Sequence, residues 1–442
     1  MFRATLNMSS ALRPPPQPGA SVSSRVISAR VVSILALACL APAWARAQES
    51  IRPSGTGAAA AAARQQENDT QHPYNIKAGP VSVNVTGSLS IEANDNINLA
   101  EKGRESDLIL RPEIDFDSEW RVTELNTLHL KLGLGYNEYL SHSDLNTRTI
   151  LLDPGSELSF DVYVGDILKL NFHDQFAIVQ NPVDEPTLSN VARFDRFQNS
   201  SGITALMDFN ALQFVFGYDH FLYNTLGSEF STLDRTEEQF FGSASVALSD
   251  ALNVGIEGST ALVNYRENFN NDGTTWTAGP FAEITFSPYS KLRLNGGYQG
   301  MQFNANGTSG DTSNASGWYV NLTAAQRLNQ YWSHSLSVGR EARLGLDVNF
   351  TEYTYVRYEA TWRMNSRLSV GFNGFYEDAE ESGTSALNSE TSHRWGGGAS
   401  LTWQLDRKTS VQLRYQYVNK DSNLDLRGYY QNTADLLLNY NF

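Results

Sequence analysis

Apolar and polar residues alternate at every second position through most of the chain, and this period of two constrains the fold more than any other feature. Residues 128–135 read LHLKLGLG and residues 411–417 read VQLRYQY. In a strand successive side chains point to opposite faces, whereas a helix repeats its apolar positions every three to four residues. From residue 81 onward the sequence therefore predicts β-strands with one apolar and one polar face.

The chain has only moderate hydrophobicity, with 41% apolar residues, and it contains no apolar run as long as a membrane-spanning helix. A barrel whose strands alternate apolar outward and polar inward residues has this composition, because the closed sheet pairs every backbone group. We therefore predict an all-β fold, a transmembrane antiparallel up-and-down barrel. We place it at residues 79–442.

The N-terminus predicts export. Arginines precede an apolar run from Val31 to Trp44, and Ala45-Arg46-Ala47 follows it. This order is typical of a secretory signal, so we predict a signal peptide at residues 1–47, cleaved before Gln48. The alternative, an inner-membrane anchor, needs a run of about 20 apolar residues.

The single cysteine, Cys39, lies inside the predicted signal peptide. Cleavage of the signal peptide leaves no cysteine in the mature chain for a disulfide or a thiolate metal site. Lipidation at Cys39 is disfavoured because the apolar run continues beyond it. Residues 48–78 are polar and rich in alanine and glycine, and they predict a flexible periplasmic leader before the barrel.

Connections between the predicted strands alternate between short and long, as they do in outer-membrane barrels with periplasmic turns and external loops. Short turns are predicted at Glu124-Leu125-Asn126, Gly165-Asp166, Asn210-Ala211, Asp250-Ala251, Pro288-Tyr289-Ser290, Asn329-Gln330, Asn365-Ser366 and Asp406-Arg407-Lys408. Longer loops include Asn181 to Asn199, Leu226 to Gln239, Ala305 to Ser316 and Asp378 to Ser392. Eight turns and nine loops predict about 18 strands, within a range of 16 to 20.

Tryptophans mark both ends of the predicted strands, where amphipathic rings meet the lipid headgroups. The predicted interfacial girdle consists of Trp120, Trp332, Trp362 and Trp403 beside short turns, and Trp276 and Trp318 beside long loops.

The C-terminus ends on Phe442, with Tyr440, Leu438 and Leu436 before it at steps of two. This pattern resembles the membrane-insertion signal of outer-membrane barrels, which implies recognition by the barrel insertion machinery. Together with Tyr415, Tyr417, Tyr429 and Tyr430, the ending also resembles the β-barrel porin 2 family. That resemblance implies an outer-membrane pore, linked in several family members to exopolysaccharide export. Asn441 departs from the basic residue more usual before the final Phe.

The polar face of the strands is where a function is expected, because it lines the lumen. The pore-lining candidates are Arg111, Glu113, Asp115, Lys131, Asp161, Lys169, Asp219, Glu257, Glu283, Arg293, Arg357 and Arg414. Both charge signs are present, and barrels of 16 to 18 strands usually enclose water. We therefore predict a porin-like outer-membrane channel for small hydrophilic solutes or saccharides.

Two alternatives remain. A closed barrel could serve as an export partner or surface scaffold, with the segment Asn181 to Asn199 folded inward. A surface hydrolase is disfavoured, because no two of the seven histidines have metal-ligand spacing and no serine lies in a nucleophile elbow. We predict no catalytic, metal or cofactor site, and no nucleic-acid partner for a chain of net charge −15. The expected partners are outer-membrane lipid, the insertion machinery and saccharides, and the sequence leaves the oligomeric state open.

Overall fold

A computed structural model describes residues 74–383 and 389–442, and nearly all of its regular structure is antiparallel β-strand. The strands are β1 Ile76–Ala78, β2 Val81–Asn94, β3 Asp107–Arg121, β4 Thr127–Gly135, β5 Glu138–Tyr139, β6 Leu151–Leu152, β7 Glu157–Val164, β8 Leu168–Val179, β9 Arg196–Phe209, β10 Leu212–Thr225, β11 Arg235–Ser249, β12 Leu252–Tyr265, β13 Gly273–Ser287, β14 Ser290–Phe303, β15 Ala315–Arg327, β16 Trp332–Leu344, β17 Phe350–Arg363, β18 Leu368–Glu381, β19 Thr391–Gln404, β20 Thr409–Ser422 and β21 Tyr429–Asn441. Three short 3-10 helices, Ser143–Leu145, Pro182–Asp184 and Ser228–Leu233, lie in the connections.

The sheet closes on itself, because β2 pairs with β3 on one side and with β21 on the other. Eighteen long strands form the ring; β5 extends β4 at its C-terminal end and β6 extends β7 at its N-terminal end, each after a short interruption. The main-chain N–H of Phe442 adds a hydrogen bond of 3.1 Å to the carbonyl of Val85 at the seam. The predicted fold class and the predicted count of 18 strands are confirmed.

The eight predicted short turns all fall between consecutive barrel strands, on the side of the barrel where β2 begins and β21 ends. The four long loops named above were predicted too long. The loop after β8 ends at Asp195 rather than Asn199, the loop after β10 ends at Asp234, the loop after β14 ends at Asn314, and Asp378–Glu381 belong to β18. Strand pairing thus extends into segments whose polar composition had suggested loop.

The outer face of the ring is apolar. Side chains that point away from the inner ion pairs include the exposed Leu89, Ile91, Phe216, Ile256 and Leu413. In lipid every backbone polar group must be paired within the protein, and a closed barrel with an apolar belt meets this requirement. The chain is therefore a membrane-spanning barrel of the bacterial outer membrane. In the described residues no helix is both long and apolar enough to span a bilayer.

The boundary between leader and barrel differs from the prediction. Residues 76–78, assigned to a flexible leader, form β1 and pair with the first residues of β2. Gly79, in the turn between them, has a φ of 62°, a conformation that glycine adopts at little cost. The Asn75 side chain donates hydrogen bonds to the Val85 carbonyl at 2.8 Å and to the Asn441 side chain at 2.7 Å, so this segment is attached to the seam. The predicted signal peptide and residues 48–73 lie outside the described residues.

Candidate functional site

The inner face of the barrel carries ionisable side chains from nearly every strand, and the strand registers bring them into cross-strand contact. The twelve sequence-predicted pore residues all lie on the face opposite the apolar belt: Arg111, Glu113 and Asp115 on β3, Lys131 on β4, Asp161 on β7, Lys169 on β8, Asp219 on β10, Glu257 on β12, Glu283 on β13, Arg293 on β14, Arg357 on β17 and Arg414 on β20. Most of them take part in ion pairs.

Two of these ion pairs flank the closing seam. Arg111 donates to Glu92 at 2.5 Å, and Arg414 donates to Asp435 at 2.5 Å. The hydroxyl of Ser90 on β2 donates to the same Asp435 carboxylate at 2.6 Å, which connects the first and last barrel strands through side chains as well as backbone.

Arg293 forms a second cluster, in which its guanidinium bridges Glu257 and Glu283 on the two preceding strands. The side chain of Glu257 is only 1% exposed, and it also accepts a hydrogen bond of 2.8 Å from Asn295. One cation therefore neutralises two carboxylates, of which one is fully buried.

Further pairs of opposite charge lie elsewhere on the inner face. Lys169 contacts Asp161 at 3.2 Å, and a ring nitrogen of His173 lies 2.9 Å from Asp219. Arg357 donates to Glu377 at 2.9 Å. The mixed-sign wall is thus largely self-neutralised rather than arranged as rings of one charge.

Glu113, Asp115 and Lys131 lie in a different setting. Glu113 and Asp115 stand opposite Gly135 and Gly133 on β4. The space beside Gly133 is occupied by the side chains of Asp115 and Asp153, so Glu113 and Asp115 are both half-buried. Lys131 is exposed, opposite an acidic residue on each neighbouring strand.

The connection of residues 180–195, here called the crossing loop, leaves β8 and reaches β19–β21, which lie five to seven strands away around the ring. Arg394 on β19 donates to the carbonyl of Val183 at 2.6 Å. The Nζ of Lys420 on β20 donates to the Thr187 carbonyl at 2.9 Å and to the Ser189 hydroxyl at 3.1 Å. The inward folding considered for Asn181 to Asn199 is therefore present in the structure.

Further contacts hold the tip of the crossing loop against the connections beside β2 and β21. The Asn190 side chain donates to the Leu426 carbonyl at 2.8 Å, and its backbone N–H donates to the Leu99 carbonyl at 3.0 Å. The Ser189 hydroxyl donates to the Arg427 carbonyl at 2.7 Å. The loop is thus fixed at its tip as well as at its two ends.

The base of the crossing loop is organised around Arg196, the first residue of β9, which is fully buried. Its guanidinium donates to the carbonyls of Asn181 and Phe194, both at 3.2 Å, and it lies 3.5 Å from the Asp184 carboxylate. A buried arginine is stable only with such partners. Arg196 therefore joins the start and the end of the loop.

At the far end of the loop, Lys420 is itself buried and belongs to an ion-pair cluster. Its Nζ lies 3.0 Å from Glu390, and Arg427 contacts the other Glu390 oxygen at 3.1 Å. The Glu390 side chain is 1% exposed. The crossing loop is therefore held at β20 by a cluster of two cations and one buried carboxylate, in which Lys420 also contacts two oxygens of the loop.

Apolar packing also draws several external loops together. Leu188 and Phe194 of the crossing loop form a buried cluster with Phe221 and Leu233, and Leu346 from the loop after β16 packs against it. External loops from separate parts of the ring thus meet over the end of the barrel away from the short turns.

A second external cluster centres on Asp311 in the loop after β14. Its carboxylate accepts hydrogen bonds from the backbone N–H of Asn349 at 2.9 Å, the hydroxyl of Ser382 at 2.6 Å and the backbone N–H of Ser313 at 2.8 Å. The Asn271 side chain donates to the Asp311 carbonyl at 2.7 Å. We call these five residues the Asp311 clasp, because they join four external loops.

The sequence analysis missed several residues that shape this region, namely Arg196, Arg394, Lys420, Glu390 and Arg427. The two strand cations, Arg394 and Lys420, could have been found, because they continue the inward register of β19 and β20. Inward-facing tyrosines were not among the predicted site residues either. The Tyr355 hydroxyl donates to Asn321 at 3.1 Å, and Arg357 stacks over the Tyr355 ring at 4.8 Å.

The predicted girdle and C-terminal residues lie on the outer face. Trp120, Trp362 and Trp403 are exposed near the short turns, Trp332 begins β16 opposite Trp362, and Trp276 and Trp318 occupy the other end of the strands. Leu436, Leu438, Tyr440 and Phe442 are between 41% and 52% exposed. The Tyr440 and Phe442 rings meet edge to face at 5.1 Å.

Comparison with known proteins assigns no family to this chain. No family model matches the chain, and no curated protein matches it. The resemblance to the β-barrel porin 2 family is not confirmed.

Solved structures are similar at low identity. A BenF-like porin from Pseudomonas fluorescens Pf-5 has 9% identity and a TM-score of 0.49, with 82% of this chain and 99% of that chain covered. OpdK from Pseudomonas aeruginosa, solved with vanillate, has 11% identity and a TM-score of 0.45, with coverage of 81% and 98%. The siderophore receptor PirA from Pseudomonas aeruginosa has 13% identity and a TM-score of 0.39, with 80% of each chain covered. At this level the similarity concerns barrel architecture alone.

The described residues contain no group of three or more His, Cys, Asp or Glu that could hold a metal ion. His173 and His142 each pair with carboxylates. A carboxylate holds and orients an imidazole in many structural pairs, so these contacts by themselves do not indicate catalysis.

Proposed function

We propose that this protein is a porin-like outer-membrane channel for small hydrophilic solutes, including saccharides, with the crossing loop as its constriction. The observation that carries the proposal is the contact of the crossing loop with β19 and β20 through Arg394 and Lys420. A loop that spans the ring narrows the lumen without filling its whole length. Eighteen strands enclose a lumen wide enough for water.

The mixed-sign wall supports solutes of low net charge. Ion selectivity in channels arises from rings of one charge sign, whereas the Arg293, Arg357 and Arg414 side chains here are each neutralised by carboxylates. Inward rings such as Tyr355, beside arginine and asparagine side chains, offer an apolar face together with hydrogen-bonding groups. Such surfaces suit sugars. A link to exopolysaccharide export belongs to this proposal as one source of the saccharide.

Single-channel conductance of the refolded mature protein in a planar bilayer tests the proposal. We expect stable open steps with weak preference between cations and anions, and reversible block when oligosaccharides are added to one side. Folding is verified in the same preparation by β-rich circular dichroism and heat-modifiable migration. Absence of open steps from protein that passes both checks contradicts the channel function.

A second function, a closed barrel acting as export partner or surface scaffold, is favoured by one observation. The buried cluster around Phe194 and the Asp311 clasp bring many external loops together over the barrel end. Folded protein that does not conduct, and that begins to conduct when the crossing loop is released, would favour this second function.

A further inference from the structure

The membrane-facing wall contains an apolar groove that a channel for hydrophilic solutes does not use. It has a volume of about 710 Å³ and extends across strands β10 to β15. Its lining is almost entirely apolar. On the outward face small residues form its floor, and larger aliphatic residues border it: Ala244, Pro280, Ala282 and Gly296 on the floor, and Leu212, Val246, Val254, Ile256, Leu294 and Val320 on the border.

The backbone beneath the groove is unusual. The β13–β14 ladder is interrupted between the pairs Ala278–Tyr298 and Phe281–Asn295. Pro280 lies in this gap, and proline has no N–H to donate to a ladder. A Cβ on Gly279 would lie 2.1 Å from the Gly296 carbonyl oxygen, so the two backbones approach too closely for side chains. The depression is thus built into the sheet and does not depend on one side-chain rotamer.

The position of the groove limits what can occupy it. Leu212 and Val254 lie within the first residues of β10 and β12, next to the short turns. Short turns face the periplasm in barrels of this class. The groove therefore opens into the periplasmic half of the membrane, where phospholipid acyl chains are the surrounding solvent.

The shape of the groove favours a single flexible chain over a second barrel. Ile256 projects from the border and is 66% exposed. A neighbouring barrel wall, itself a sheet, would rest on such projecting side chains and leave the floor uncovered. A volume of several hundred Å³ is also the scale of a small-ligand site.

We propose that this groove binds one acyl chain of a phospholipid from the periplasmic leaflet. The absence of charged residues among those that line it assigns the site to the hydrocarbon tail and not to the headgroup. Because a groove unfilled by lipid would leave its lining without contacts, an ordered chain also completes the packing of the barrel wall. This inference is independent of whether the lumen conducts.

The test uses cells that incorporate a diazirine-bearing fatty acid into their phospholipids. After irradiation the protein is purified from membranes and the lipid adducts are mapped by peptide mass spectrometry. We expect several-fold more adducts on residues 244–256 and 280–296 than on an apolar patch in the same half of the wall, formed by Leu401, Leu413 and Leu436. The double variant Ala244→Leu/Ala282→Leu should fill the groove and lower its labelling to the level of the patch.

Ala399→Leu is the matched control, since Ala399 faces outward on β19, far from the groove, and should leave labelling unchanged. If the double variant does not reach the membrane, Ala244→Leu alone provides the comparison. Equal labelling of groove and patch in the unaltered protein would overturn the proposal. So would efficient disulfide dimers of Ile256→Cys in membranes together with an unlabelled groove, because a second copy would then be the occupant.

Discussion

The carbonyl oxygen of Thr187 accepts a hydrogen bond of 2.9 Å from the Nζ of Lys420, although 233 residues separate the two along the chain. Thr187 lies in the crossing loop, which follows β8, and Lys420 lies on β20, six strands away around the ring. This contact joins two sides of the ring near the external end of β20. It makes the position of the loop depend on a buried cation.

Replacing Lys420 by Met should release the crossing loop. The change removes the donor to Thr187 and leaves Glu390 with only Arg427 as its cation, and breaking a buried ion pair costs about 3–5 kcal/mol. We expect larger or longer-lived open currents in planar bilayers. Lys291→Met, at an exposed inward lysine near a short turn, is the control. Unchanged currents in the Lys420 variant would show that the loop does not limit conduction.

Arg293→Met should destabilise the barrel strongly. The substitution leaves the buried Glu257 carboxylate without its cation, with an expected loss of about 3–5 kcal/mol in the free energy of unfolding. Urea unfolding in detergent, followed by heat-modifiable migration, measures the loss. Glu283→Gln should cost less, because Glu283 is 31% exposed and the remaining pair with Glu257 stays intact. Equal losses in both variants would argue against this division of roles.

Gly279→Ala should impair folding, whereas Gly317→Ala should have little effect. The added methyl group at position 279 would lie 2.1 Å from a backbone oxygen, and the adjoining strand cannot retreat without opening the wall. At Gly317 the same methyl group meets no atom within 4 Å. The folded fraction of each refolded variant in detergent is the measurement. Normal folding of both variants would contradict the close approach of β13 and β14.

Protonation of Asp311 at low pH should weaken the hydrogen bonds that hold the external loops together in the Asp311 clasp. Burial raises the pKa of the Asp311 carboxyl. The hydrogen bonds from Ser382, Asn349 and Ser313 together lower the pKa by more than burial raises it, so it lies below its ordinary value of 3.8. A group with a depressed folded pKa contributes stability that is present above the unfolded value and is lost as the pH falls through the folded value. We therefore expect the clasp to hold above about pH 4 and to open below the ordinary pKa.

Hydrogen exchange of residues 306–314 and 345–350, compared between pH 6 and pH 3 after correction for intrinsic rates, detects this opening. Asp311→Asn, which cannot ionise, should show faster exchange at pH 6 and a smaller difference between the two pH values. A pH difference as large in the variant as in the unaltered protein would assign the effect to another group.

Phe442→Ala should reduce the amount of barrel assembled in cells more than it reduces stability in detergent. The Phe442 ring lies against Gly87 on β2, but it is 52% exposed, so its packing contribution is small. Recognition by the insertion machinery is the larger expected role. The control is Phe286→Ala, at an exposed phenylalanine next to a short turn. Equal assembly of the two variants would remove the special role of the C-terminal residue.

The strands and turns were predictable because a barrel wall is a single layer. Each strand has one neighbour on either side and two chemically distinct faces, so the local pattern determines the orientation of Lys131 or Arg293 without knowledge of distant contacts. The same reasoning located all eight short turns between the long barrel strands. The local pattern failed at loop boundaries such as Arg196. There the strand includes polar residues that had been assigned to the loop, because their side chains find partners on the inner side of the barrel.

Contacts between distant loops could not be predicted in the same way. Lys420 and Glu390 meet Thr187 and Ser189 only after the ring has closed, and no spacing in the sequence encodes that approach. The groove had a faint signal, since Pro280 and a neighbouring glycine interrupt an otherwise regular alternation. That signal indicates an irregular strand, but only the ladder register shows which neighbour lies across the gap.

The seam between β2 and β21 makes the folding of this wall an all-or-nothing event. Leu438 pairs with Leu89, so the ring closes only when its first and last long strands meet. Until that moment the first and eighteenth strands of the ring each present a row of unpaired amide and carbonyl groups to hydrocarbon. The free-energy cost of an open barrel is therefore concentrated at the seam between β2 and β21, and a partly formed barrel is unstable within the membrane.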